Sequence, residues 1–140
     1  MEKKWNEEVI ELLVDVNDLI TAEKSGSENI TNLLYTWVEE YFGQKNFDGS
    51  LVLNYTKTSA KDIRIIVLQK KLIISVDAFA DIIKIDTIVN GREYNRIDDF
   101  TIGTFKNGKS LILSRKVLFD ILDEFTKEAI ENYITERIYL

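Results

Sequence analysis

The stretch GTFKNGKS, Gly103 to Ser110, admits two readings, and each implies a different fold. It fits G-x-x-x-x-G-K-[ST], the phosphate-cradling loop of nucleotide-binding enzymes, in which a parallel strand delivers a glycine-rich turn directly into a helix N-terminus. On that reading FTI before Gly103 is the strand, a helix begins at Lys109, and LIISVD, ending at Asp77, supplies the acid that holds Mg²⁺. Parallel strands need crossovers of about a dozen residues or more, and residues 51–105 leave no room for them. The second reading asks for nothing unusual. Asn107-Gly108 is a pair that favours a two-residue type I′ turn, and pairing across it puts Phe100, Ile102, Leu111 and Leu113 on one face. Thr101, Gly103, Ser110 and Ser114 then fall on the other, the pattern of a half-buried antiparallel hairpin. The hairpin outweighs the phosphate loop, and an antiparallel sheet follows from it.

Short apolar segments upstream extend that sheet. LVLNY, IRIIVL and LIISV are β-branched and bounded by polar clusters. The last two are joined near Gln69 to Lys71, and their largely apolar composition on both faces predicts central strands covered on both sides or nearly so. IIKIDTIV meets REYNRI across Asn90-Gly91, a second two-residue turn, and Asp98 and Asp99 follow at a bend.

Helical spacing brackets the sheet. Trp5, Val9, Leu12, Leu13, Val16, Leu19 and Ile20 recur at steps of three and four, with Glu7, Glu8, Glu11, Asp15 and Asp18 largely elsewhere. SGSENITN interrupts this helix, with Ser25 and Glu28 as a capping box or Ser27 as the cap. A second helix turns Ile30, Leu33, Leu34, Trp37, Val38 and Tyr41 inward and stops at Gly43. After Ser114 as N-cap, Leu118, Ile121, Leu122, Phe125, Ala129, Tyr133 and Ile134 share a side of one long terminal helix. The expected architecture is α+β: two N-terminal helices over residues 1–43, a central antiparallel sheet of about five to seven strands built from hairpins over 51–113, and a C-terminal helix over 114–138. At 140 residues it is read as a single domain.

Composition removes whole classes of chemistry. There is no Cys and no His, hence no disulfide, thiolate nucleophile, sulfur-bound metal or imidazole base. Nor does any strand carry an acid followed two residues later by Lys, as metal-dependent nucleases often do, and Ser-x-x-Lys is absent. Asp77, Asp81, Asp86, Asp98 and Asp99 lie near strand ends, where paired carboxylates could act on glycosides, but solvated turn acids are the simpler account. No cofactor, metal or enzymatic activity is expected. The absence of an apolar run of membrane-spanning length and the acids in MEKKWNEEVIELL predict a soluble, cytoplasmic protein. The lack of Pro and the wealth of Ile, Lys, Asn, Glu and Asp suggest an AT-rich prokaryotic or phage source.

The net charge of −6 is unevenly spread. Residues 1–50 hold eleven acids against four lysines, residues 51–116 twelve basic residues against seven acids, and residues 117–140 six acids against two basic residues. Acidic outer helix faces without a catalytic inventory point to a stoichiometric protein-binding module of the inhibitor, immunity, anti-defence or regulatory kind. The alternative is single-stranded nucleic-acid binding on a basic sheet face. Arg92, Tyr94 and Arg96 form a basic, aromatic, basic stripe, extended by Arg64, Lys84, Lys106 and Lys109, with a solvated, charge-protected edge strand as the competing account. With a two-residue turn at Asn90-Gly91 the stripe would share a side with Val89, Thr87 and Ile85, so either its stems cover apolar surface or the register differs.

LIISVDAFADIIKID followed by GKSLILSRKVLFDILDEF, spanning about 72–125, resembles the strand-rich C-terminal module of the transcriptional coactivator positive cofactor four. The resemblance implies a dimer that binds single-stranded DNA on its sheet. A homodimer is therefore compatible with both functional expectations.

Overall fold

Helices α1 (Trp5–Lys24) and α2 (Ser27–Phe42) form a hairpin joined by Ser25 and Gly26. The computed structural model describes residues 5–77, 82–89, 93–101 and 111–139. Neither serine caps α2. Gly26 occupies the N-cap at φ 124° with no side-chain bond, and the Ser25 hydroxyl instead donates back to Thr21 O at 3.4 Å. A two-residue link between antiparallel helices needs a reversal that an L-residue resists, and glycine supplies it. At the other end Gly43 terminates α2 as expected, in the left-handed region at φ 63°.

The sheet runs β1 (Leu53–Lys57), β2 (Asp62–Val67), β3 (Lys70–Asp77), β4 (Ile82–Val89), β5 (Glu93–Thr101) and β6 (Leu111–Ile112), neighbours in sequence being neighbours in space. The first five strands are antiparallel throughout. Helix α3 (Arg115–Tyr139) follows directly after Leu113 and Ser114. This is the α+β layout read from the sequence.

Three features of the sheet depart from that reading. First, β6 pairs parallel to β5, Phe100 with Leu111 and Thr101 with Ile112. The antiparallel hairpin expected across 100–113 is therefore not formed by these residues, because adjacent parallel strands cannot be joined by a two-residue turn. Residues 103–110 themselves lie outside the described residues. A strand follows them and α3 starts at Arg115, not at Lys109. Second, Val89 pairs with Glu93, so three residues separate β4 from β5 and not two. Third, a bulge between Ile85 and Asp86 leaves Ile97 without an opposite number. One extra residue exchanges the faces of everything beyond it. The three-residue connection pairs Tyr94 with Ile88 and Arg96 with Asp86, and the bulge beyond them returns Phe100 to Ile83 in the core.

Burial follows the pleat. Tyr55, Ile63, Ile65, Val67, Leu72, Ile74, Val76, Ile83, Ile85 and Phe100 join Leu19, Ile30, Leu34, Trp37 and Val38 of the first two helices and Leu118, Leu122, Phe125 and Ala129 of α3 in one core. Every strand residue in that cluster lies on a single sheet face. Among the described residues the helices cover one side only, and on the other side of β2 and β3, expected to be covered or nearly so, Ile66 is buried with its neighbour Asn54. Arg64 is exposed, and Lys71, Ile73 and Ser75 are partly so. The apolar run IRIIVL satisfies a one-sided core because Ile66 is buried outside the main cluster.

The β2–β3 turn is made by Leu68 and Gln69, both at positive φ, 48° and 75°. Two consecutive non-glycine residues in this region store strain. Backbone bonds hold them there: Leu68 N–H donates to Val52 O at 3.1 Å and Gln69 N–H to Leu51 O at 3.0 Å. The outer edge of β1 is also closed. Asn46 Nδ2 donates to Tyr55 O at 2.9 Å, Tyr55 N–H donates to Asn46 Oδ1 at 3.4 Å, and Phe47 N–H donates to Leu53 O at 3.1 Å.

Candidate functional site

The helix-free face of the sheet carries most of the sequence-predicted basic residues that fall among the described ones. Its cross-strand rows read Thr56, Arg64, Ile73, Asp86, Arg96 and, one step along, Asp62, Ser75, Lys84, Asp99. Arg64, Lys84, Tyr94 and Arg96 are thus brought to one face by the register. They share it with an equal population of acids: Arg96 is the register partner of Asp86, and Lys84 of Asp99. Opposite charges facing across strands stabilise a sheet locally and cancel its field. Arg92, Lys106 and Lys109 lie outside the described residues, as does Asp81. Of the remaining strand-end acids, Asp98 stands opposite Ile85 and Asp99 opposite Lys84, so strand alternation assigns them to different faces. Among the described residues no three acidic side chains converge as a metal site.

The helical layer offers a different surface. Helices α1, α2 and α3 together hold fifteen acidic residues against five basic ones. Among the described side chains of α1 only Leu19 is a buried member of the core, with Ala22 packed against it, and residues 10–14 are exposed. Leu12 and Leu13, predicted to face inward, are exposed, with Leu13 at 60% and Ile10 at 58%. Asp15, predicted to face water, is buried at 5% exposure.

The burial of Asp15 has a clear cause. Its Oδ2 accepts the Arg115 N–H at 2.7 Å, capping α3 from a second helix, while Ser114 Oγ accepts the Val117 N–H at 3.2 Å as the expected N-cap. The Arg115 guanidinium lies 3.5 Å from Asp15 Oδ1 and 3.0 Å from Glu40 Oε2, with its central carbon 5.6 Å from the Trp37 ring centroid. One side chain thereby ties all three helices together. The sequence carried no spacing signal for it, since Asp15 and Arg115 are one hundred positions apart.

Between the exposed half of α1 and the first turns of α3 runs an open groove with a volume of about 770 Å³. Val9, Leu12, Val117 and Phe119 form apolar lining, Glu8, Glu11 and Asp120 add acidic groups, and Lys116 adds one basic group. The Asp15–Arg115 pair closes its inner end. A signal for this surface is present in VIELLVDV: Val9, Ile10, Leu12, Leu13, Val14 and Val16 go round the helix, more than one face against a core can bury. A smaller apolar tip, Phe47, Leu51 and Val52, is exposed beside the strained Leu68-Gln69 turn.

Burial and hydrogen bonding perturb one phenol strongly. Tyr41 Oη donates to Asp123 Oδ1 at 2.5 Å, and burial together with that bond and the carboxylate charge pushes its pKa from 10.0 up to about 12. Tyr41 also packs edge-on against Phe119, at 5.4 Å between ring centroids, so it joins α2 to α3 behind the groove. Comparison with protein-family models, with curated proteins and with solved structures found no match to this chain.

Proposed function

We propose that this chain is a non-enzymatic, stoichiometric protein-binding module of the inhibitor, immunity, anti-defence or regulatory kind, acting inside a prokaryotic or phage-infected cell through its helical layer. The observation that carries this reading is the solvent-exposed apolar half of α1, Ile10, Leu12, Leu13 and Val14, set on an acidic helical surface. Contiguous exposed apolar groups rimmed by charge are what a docking surface needs, since the apolar centre supplies affinity and the charge supplies partner choice. A sequence without Cys or His adds weight, because it withholds the commonest nucleophiles and bases. No described helix is long and apolar enough to cross a membrane.

Affinity isolation tests the reading. The wild-type chain should recover a partner in a one-to-one ratio, and an Ile10→Asp/Leu13→Asp variant with unchanged melting temperature should lose it. Recovery of the same partner by both proteins, or turnover of a substrate by the purified chain, overturns the reading. A second reading, single-stranded nucleic-acid binding, is favoured by the helix-free sheet face with Arg64 exposed on it. Oligonucleotide titration at several salt concentrations separates the two, because phosphate contacts impose a salt slope.

A further inference from the structure

The geometry points to the occupant of the α1–α3 groove, an inference that rests on the protein-binding reading: a partner's amphipathic α-helix, with its apolar stripe inward and lysines or arginines on its flanks. Length sets the first constraint. The α1 wall from Glu8 to Asp15 is seven residue rises, about 11 Å, or two helical turns. That is the span over which a helix presents three or four anchors at i, i+3, i+4 and i+7, and helix-in-groove recognition uses such anchors. The lining provides for them, with Leu12 and Val9 on one wall and Val117 and Phe119 on the other.

Charge selects among occupants. Glu8 and Asp120 stand exposed on opposite walls, and the three helices behind them are acidic three to one. A second copy of this chain would bring like charge against like, and an anionic bilayer would do the same. Basic flanks on a helix meet both acids and leave the apolar stripe to displace water from the groove. Both carboxylates at the inner end are already paired with Arg115, Asp15 through the backbone N–H and guanidinium and Glu40 through the guanidinium, so no acid is left there for the occupant to satisfy, although Arg115 Nε and Trp37 Nε1 are buried without a hydrogen-bond partner.

A labelled synthetic peptide helix of about four turns, with leucine at i, i+3, i+4 and i+7 and lysine elsewhere, serves as the probe; its counterpart carries glutamate in place of every lysine. Fluorescence anisotropy should show the lysine peptide binding and the glutamate peptide binding at least tenfold more weakly. Leu12→Asp, at an exposed position, should weaken the lysine peptide at least tenfold. Glu8→Lys/Asp120→Lys should reverse the preference between the two peptides. Should Leu12→Asp lower the melting temperature, Ile10→Asp on the same exposed half carries the comparison. Equal binding of both peptides, binding indifferent to the groove variants, or light scattering that reveals a dimer dissociated by Leu12→Asp overturns the inference. If the peptides fail while affinity isolation still recovers a partner dependent on Ile10 and Leu13, the helix inference falls and the protein-binding reading stands.

Discussion

Gln69 sits exposed at φ 75° with no glycine to relieve it, its N–H held by Leu51 O at 3.0 Å. An L-residue in this conformation costs roughly 1–2 kcal/mol, and glycine removes most of that at some entropic expense. Gln69→Gly should therefore stabilise the protein by about 0.5–1 kcal/mol, read as a higher urea midpoint at constant slope. Tyr41 supplies the pH dependence. Its folded pKa, raised to about 12 from an ordinary 10.0, means that the neutral phenol is the favoured native form. The stability it contributes is fully present below pH 10 and is lost as pH rises towards 12. Tyr41→Phe, which removes both the titrating group and its bond to Asp123, should flatten the alkaline decline over that window and delete the latest-titrating tyrosinate from the absorbance curve. Tyr35 and Tyr55, also raised by burial and by Glu39, remain as internal references.

Elements are held to one another by a few cross-links of very different kinds. Helix α2 is fastened to the sheet by Thr31 Oγ1 donating to Ala60 O at 2.9 Å and by Lys57 Nζ bonding Glu28 at 2.7 Å and Asn32 at 2.9 Å. The junction of α1 with α3 depends on Asp15. Asp15→Ala strands the Arg115 N–H and removes one of the two carboxylates beside a half-buried guanidinium, and should cost about 2–4 kcal/mol. Asp15→Asn keeps an oxygen for the cap and should cost about half as much; equal losses in the two variants would show that the charge, not the cap, holds the helices. At this scale the sequence was partly legible. Periodicity located α2 and α3 because most of their apolar residues do enter the core, and Gly43 and Ser114 end and begin their helices as the local chemistry requires. It misplaced the outward side of α1, since a stripe read at steps of three and four does not say which half of a long helix has a core to meet. The charge pair that fixes α1 is also silent in a linear reading. Which face the β5 stripe takes was not legible for a different reason. A third residue in the β4–β5 connection sets the face of Tyr94 and Arg96, the unpaired Ile97 resets it for Phe100, and neither propensity nor alternation marks either one.

Across the whole molecule, a one-sided sheet divides the surface into an acidic helical side with an apolar groove and a flat side on which basic and acidic residues alternate. The first was legible only as a charge count, because exposure depends on where the helices stop covering one another. On the second, the placing of Arg96 opposite Asp86 and of Lys84 opposite Asp99 is visible only once the cross-strand register is known. Register is a long-range property that connection lengths determine: three residues, not two, separate β4 from β5, and β6 lies parallel to β5.

The side chain of Asn46 hydrogen-bonds the backbone of strand β1, and in doing so it bears on what kind of assembly the chain can enter. Its amide occupies both hydrogen-bonding groups of Tyr55, so another polypeptide cannot add itself there as an extra strand. Asn46→Ala should leave the monomer folded but let it polymerise, with thioflavin fluorescence rising on incubation where the parent solution stays clear. Strand addition at the β1 edge is thereby blocked at Tyr55 by one carboxamide, beside the bond from Phe47 N–H to Leu53 O.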